Sequence, residues 1–155
     1  MMLEIVNNQR KFKLEWSEFR EFAECAINLI PETENKSATI AFVSDRKMRE
    51  LNVNFRGVTS TTDVLSFPFT ADEYDLETNN LGDIIISVEQ AERQAQENDL
   101  TIENEIKQLI LHGVLHLCGY DHETDSGEMN RRELELRELL EIWRKYLSAN
   151  SREWT

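Results

Sequence analysis

All three histidines of the chain, His112, His116 and His122, fall inside one short stretch, HGVLHLCGYDH. On an α-helix, residues four apart share a face and stand about 6 Å apart along the axis, so His112 and His116 can close on one ion at the ~2.0–2.1 Å of a zinc–nitrogen bond. Gly119 then lets the chain reverse, and the residues after it can bring His122 round as a third ligand. Three neutral protein ligands with a fourth corner left to water is the arrangement of a catalytic zinc site, because structural sites usually fill all four corners from the protein. A single histidine on an apolar helix face is ordinarily a hydrogen-bonded core or surface residue. Three at this spacing, with glycine at the bend and no other histidine in the chain, point to a metal instead. One Zn²⁺ is the expected ion, although three imidazoles also suit nickel, copper or iron. Cys118 could take the open corner and close the site; beside Leu117 at a helix end it is expected as a small buried apolar residue.

The stretch fits HxxxHxxGxxH, one step away from the HExxHxxGxxH of metzincin proteases: Gly113 stands where they carry the Glu that serves as general base. Without that carboxylate, peptide hydrolysis by the metzincin route is disfavoured. Asp121 is the one carboxylate left inside the motif. It can orient an imidazole, stand in as a weak base, or simply face solvent in a turn.

The element that must carry the pair is a helix after Thr101, with Ile102, Ile106, Leu109, Leu115 and Leu117 at apolar positions and Gly119 as its stop. Upstream, Leu3 to Val6 reads as a short strand, and Trp16, Phe19, Phe22, Ala23, Ala26, Ile27 and Ile30 recur at helical spacing until Pro31. After the polar loop PETENKS, Ala38 to Ser44 is a strand, and Ser44 or Asp45 caps a helix that turns Met48, Leu51 and Phe55 inward. RGVTSTT is a turn, and DVLSFPF a strand that Pro68 ends or pushes to an edge. Asp72, Glu73, Asp75 and Glu77 belong to a solvated loop. Gly82 to Ser87 is a buried strand, and Ser87 with Gln90 has the form of a capping box for the helix through Val88, Ala91 and Ala95. A final helix starting near Asp125 or Ser126 carries Met129, Leu136, Leu139, Leu140, Trp143 and Leu147 inward and leaves a frayed tail over 149–155. Strands interleaved with helices, with no repeat and no linker, predict one α+β domain over residues 1–155 with its core over about 3–148. Its expected form is a small mixed sheet of about four strands packed with helices, the metal site lying at the C-terminal end of a central helix.

Composition narrows the function. Against 17 Lys and Arg stand 30 Asp and Glu, a net charge of −13, which excludes a generic basic nucleic-acid-coating protein. No apolar run approaches the ~20 residues of a membrane span, and MMLEIVNNQRKFK has no apolar segment after a basic start, so no membrane partner and a cytoplasmic address are expected. Cys25 and Cys118 are too few for a disulfide framework or a four-thiolate zinc site, and both are expected reduced. Arg46, Lys47 and Arg49 form a local positive excess against Asp45 and Glu50, which suits either an RNA backbone or a solvated helix face. Thr62, Asp63 and Ser66 can line a cleft, with turn capping the more ordinary duty. Phe67 and Phe69 can stack on bases, with core packing the more ordinary one.

The stretch over 112–122 fits HGxLHLxGYDH in full, and LNVNFR (51–56), TDVLSFPF (62–69) and LGDIIIS (81–87) precede it. On these residues, in this order and spacing, the chain resembles the YbeY family of bacterial metal-dependent single-strand endoribonucleases over most of 40–122. The resemblance implies a zinc-type ion on His112, His116 and His122, an essential arginine at Arg56, and a role in ribosomal RNA maturation and ribosome quality control. It implies single-stranded RNA, ribosomal RNA above all, and the ribosome or its proteins as partners, and leaves the oligomeric state open. Arginine suits such a role because its planar guanidinium stays charged and makes paired hydrogen bonds to phosphate oxygens. A metalloprotease-like amide hydrolase using the same metal, and a ribosome- or RNA-binding adaptor with a structural zinc, remain as alternatives.

Overall fold

The computed structural model describes residues 3–33, 36–69, 79–120 and 126–150, with the side chains of all of these except 32 and 142–150. The acidic loop with Asp72, Glu73, Asp75 and Glu77, the residues Asp121 and His122, and the side chains of Trp143 and Leu147 lie outside the described residues. The chain forms two compact units, Met1–Gly119 and Tyr120–Thr155.

The first unit runs β1 (Leu3–Asn7), α1 (Trp16–Asn28), a short 3-10 turn (Pro31–Thr33), β2 (Ser37–Val43), α2 (Asp45–Arg56), β3 (Val64–Pro68), β4 (Asn80–Ser87), α3 (Val88–Glu97) and α4 (Ile102–Leu117). The four strands form one mixed sheet in the order β1-β2-β4-β3. β1 with β2 and β2 with β4 are parallel, while β3 runs antiparallel to β4 on the free edge. The architecture is the expected α+β one, and Pro68 ends an edge strand, where its missing N–H costs no ladder bond.

Alternation along the strands gives the sheet two faces. On one, Ile40, Phe42, Ile84 and Ile86 are fully buried. Their register places Ile40 beside Ile84 and Phe42 beside Ile86. Trp16 and Phe19 of α1 bring their rings to 4.8 and 5.6 Å from that of Phe42, and α4 lies on Ile84, so both helices cover this face. On the other face Val43 and Leu65 join Met48 of α2 in a buried cluster flanked by Leu51, Phe67 and Ile85. Gly82 is obligatory where β3 ends: its φ is +133°, and a Cβ there would run into the carbonyl of Phe67.

Helix starts follow side-chain caps. The hydroxyls of Ser44, Ser87 and Thr101 accept the N–H of Lys47, Gln90 and Asn104 at 3.2, 3.2 and 3.1 Å. The capping box at Ser87 is only half made, because its own N–H donates at 2.9 Å to the carbonyl of Asp63 rather than to Gln90. Three residues expected inward are not: Phe55 is 65%, Leu139 42% and Phe69 41% exposed. Cys118, expected buried, is half-buried. In the second unit α5 spans Glu128–Asn150, starting two residues after Ser126 and extending through the first two positions of the expected tail. Its residues Met129, Leu136 and Leu140 are buried. Among the described residues no helix is long and apolar enough to cross a membrane.

Candidate functional site

α4 is the helix that brings two of the three histidines together. Its residues Ile106, Ile110, Leu111, Val114 and Leu115 are buried, which fixes its rotation and leaves His112 and His116 half-buried on one side. Their Nε2 atoms lie 3.0 Å apart, with ring centroids at 4.6 Å and the rings near perpendicular at 74°. Two ligands of a tetrahedral zinc at its usual bond length stand about 3.3 Å from each other, so the pair is within a small adjustment of sharing one cation. The same separation lets one neutral ring donate Nε2–H to the lone pair of the other, a hydrogen bond that metal binding would replace. His122 lies outside the described residues, and among the described residues no three His, Cys, Asp or Glu side chains gather into a metal-holding group.

Gly113, the departure from the protease pattern, faces the sheet. A Cβ on it would stand 2.8 Å from Cγ2 and 3.1 Å from Cδ1 of the fully buried Ile84. The helix can sit this close to β4 only because the position has no side chain, and a glutamate has no room there.

Arg56 stands elsewhere, as the last residue of α2. Gly57, at φ +67°, ends that helix in the left-handed conformation and donates its N–H to the carbonyl of Val53 at 3.0 Å. Arg56 is exposed and forms no hydrogen bond or ion pair with any described residue. The other cations of α2 are engaged: Arg46 and Lys47 with Glu50 at 3.9 and 3.7 Å, and Arg49 with Asp45 at 3.5 Å. Arg56 and the histidines therefore lie on helices that cover opposite faces of the sheet. The edge strand β3 is touched by both, by α4 on one face and by the α2 cluster on the other.

The loop after Arg56 is held by two buried polar residues that spacing alone had not singled out as functional. Oδ1 of Asp45 accepts the hydroxyls of Thr61 at 2.6 Å and Ser87 at 3.0 Å, and its Oδ2 accepts Arg93 Nη2 at 2.6 Å. Burial works to raise this carboxyl, but the hydrogen bonds from Thr61, Arg93 and Ser87, with the Arg93 charge, outweigh it and hold the pKa below the usual carboxylate range. Asn52, also buried, donates Nδ2–H to the carbonyl of Ser60 at 2.7 Å. Both share the inward face with Met48, at spacings of three and four, and a polar residue on that apolar stripe was the available signal. Asp63 does cap its turn, accepting the N–H of Val64 at 2.8 Å. With its amide turned to donate, Gln94 bonds Asp63 Oδ2 and Glu105 Oε1, each at 3.0 Å, and so ties this turn to the first part of α4.

The arrangement defines a small α+β protein whose central helix converges two imidazoles and whose edge strand follows a loop from a guanidinium unpaired with any described residue. The family model for endoribonuclease YbeY matches residues 4–142. An endoribonuclease YbeY from Clostridioides difficile (strain 630) is 38% identical over 143 residues, covering 86% of this chain and 92% of the relative. One from Finegoldia magna is 38% identical over 146 residues, covering 92% of this chain and 94% of the relative. The solution structure of TM1509 from Thermotoga maritima superposes with a TM-score of 0.63 at 31% identity, covering 96% of this chain and 95% of that one. The chain belongs to the endoribonuclease YbeY family.

Proposed function

We propose that this chain cleaves single-stranded RNA in ribosomal RNA maturation and ribosome quality control, with one divalent ion, Zn²⁺ first, on His112, His116 and His122 and with Arg56 on the substrate phosphate. Family membership supports the coarser statement, that the chain is a hydrolase acting on RNA. The observation that carries the finer one is the 3.0 Å approach of the His112 and His116 Nε2 atoms on one face of α4. A bound divalent cation supplies a water whose pKa is lowered towards about 7 and positive charge beside the reacting phosphate.

The remaining work falls to the chain itself. His112 and His116 offer lone pairs to a cation only as neutral rings, and the packing of α4 holds both on one side. Arg56, with no partner among the described residues to give up, can make paired hydrogen bonds to phosphate oxygens and offset charge that grows on them. Gly113 leaves no space for the proteases' general base, which counts against amide hydrolysis. The working address is the cytoplasm, beside the ribosome.

Stripping the metal with a chelator and restoring it separates the alternatives. RNA cleavage is expected to stop and return, with a peptide substrate untouched throughout and the far-ultraviolet circular dichroism unchanged. Cleavage that survives removal of all metal overturns the proposal. Peptide turnover favours the amide hydrolase, and unfolding on removal favours the adaptor with a structural zinc.

A further inference from the structure

Among the described residues the most exposed aromatic ring is that of Phe55. It lies on the same helical face as Met48 and was expected inside, yet it is 65% exposed. It is not loose. Its ring meets that of Phe67 at 5.1 Å and 62°, an edge-on contact, and Phe67 is itself packed against the buried cluster of Val43, Met48 and Leu65. The core thus props one half-buried ring, which props a ring that faces solvent. Such a surface costs little further ordering when a planar ligand arrives. The next residue is Arg56, exposed and unpaired with any described residue, and Gly57 ends the helix there.

We propose that Phe55 is a stacking platform for one unpaired base of the RNA whose phosphate Arg56 binds. The proposal rests on the RNA-cleaving function given above and adds to it the group that reads the substrate as single-stranded. An aromatic face and a guanidinium on consecutive residues match the two parts of a nucleotide. An apolar protein surface would satisfy the ring but strip water from Arg56 with nothing in return. α2 also carries four cations against two carboxylates in a chain of net charge −13, so its end is a place where a polyanion is not repelled. Every base has a π-face, so the contact tolerates any sequence; a base inside a duplex is already stacked on both sides and has no face to give.

Full-length wild type, Phe55→Leu and Phe55→Trp, all metal-loaded, are compared by fluorescence anisotropy on labelled, 2′-O-methylated single strands and duplexes, and by steady-state cleavage of single-stranded RNA. Phe55→Leu is expected to weaken single-strand binding by about 5- to 150-fold, the range set by stacking one base. It should raise KM with kcat little changed, leave the melting temperature and duplex binding as in wild type, and be rescued by Phe55→Trp. In strands with one abasic site placed at each position in turn, one position should remove the difference between wild type and Phe55→Leu. Equal single-strand affinity of wild type and Phe55→Leu, or an equal loss on duplex, overturns the stacking role while leaving RNA cleavage standing. A wild type that neither binds nor cleaves single strands overturns the underlying function instead.

Discussion

Gly113 shows how much one missing side chain decides. Its position is buried within α4, where alanine would ordinarily gain about 1 kcal/mol over glycine in helix propensity. Here the added methyl would stand 2.8 Å from Ile84 Cγ2, closer than real Cβ contacts come, and Ile84 is sealed under the helix. Overpacking of this kind costs about 1–3 kcal/mol, so it cancels or exceeds the propensity gain. Gly113→Ala should therefore be neutral to destabilising by about 2 kcal/mol in urea titrations. In an Ile84→Ala background the same substitution should become stabilising, because the clash is gone and the cavity is partly filled. A stabilising Gly113→Ala in the wild-type background would mean that α4 can lift from β4 at no cost. Because His112 is the preceding residue, a helix displaced by the methyl should also weaken the metal binding proposed for the histidines.

At the scale of elements, α2 is anchored at its first residue by Asp45 and at its middle by Asn52, and these fix the loop that joins Arg56 to β3. The Asp45 carboxyl has a folded pKa below its unfolded one, so it contributes stability that is fully present above the unfolded value of about 3.9 and is lost as the pH falls through the lowered folded value. Asp45→Asn replaces an acceptor of four side-chain donors, Thr61, Ser87, Arg93 and Arg49, by an amide that turns N–H groups on some of them. A loss of about 2–3 kcal/mol at neutral pH is expected, arising chiefly from the hydrogen bonds because Arg93 is half exposed. The variant should also show less change in stability between pH 5 and pH 2 than wild type, measured by urea titration at each pH; an unchanged acid dependence would show that Asp45 is not the group responsible. This is also the scale at which sequence spacing was most and least informative. β2, β4, α3 and α4 were legible because β-branched runs, Ser87 at a cap, the apolar period after Thr101 and Gly119 at a stop are local signals. Phe55 was misread because helical period reports only which way a residue points. Whether anything stands there is decided by the sheet, and at the last turn of α2 the ring of Phe67 is the aromatic neighbour it meets. The histidine pair was legible for the same local reason as the caps, four residues being about one helical turn. The distance of Arg56 from it in the fold was not, since that depends on which face of the sheet each helix takes.

For the whole molecule the tension lies in charge: a chain with net charge −13 has to bind a polyanion. Long-range repulsion opposes the encounter, so affinity must come from a few local contacts and from contacts that carry no charge. Among the cations of α2, Arg46, Lys47 and Arg49 already face carboxylates, and Arg56 alone is unengaged with any described residue. Each phosphate neutralised on a single strand contributes about −0.7 to the slope of log K against log salt. One to three such contacts predict a wild-type slope of about −0.7 to −2, far shallower than that of basic nucleic-acid-binding proteins. Arg56→Ala should flatten it by about 0.7 and abolish cleavage without moving the melting temperature, whereas Phe55→Leu should lower affinity by the same factor at every salt concentration and leave the slope alone. Anisotropy titrations of the three proteins over a tenfold range of salt read both effects at once. A steep wild-type slope would place the RNA on a basic surface other than the end of α2, and an unchanged slope in Arg56→Ala would remove that guanidinium from the phosphate.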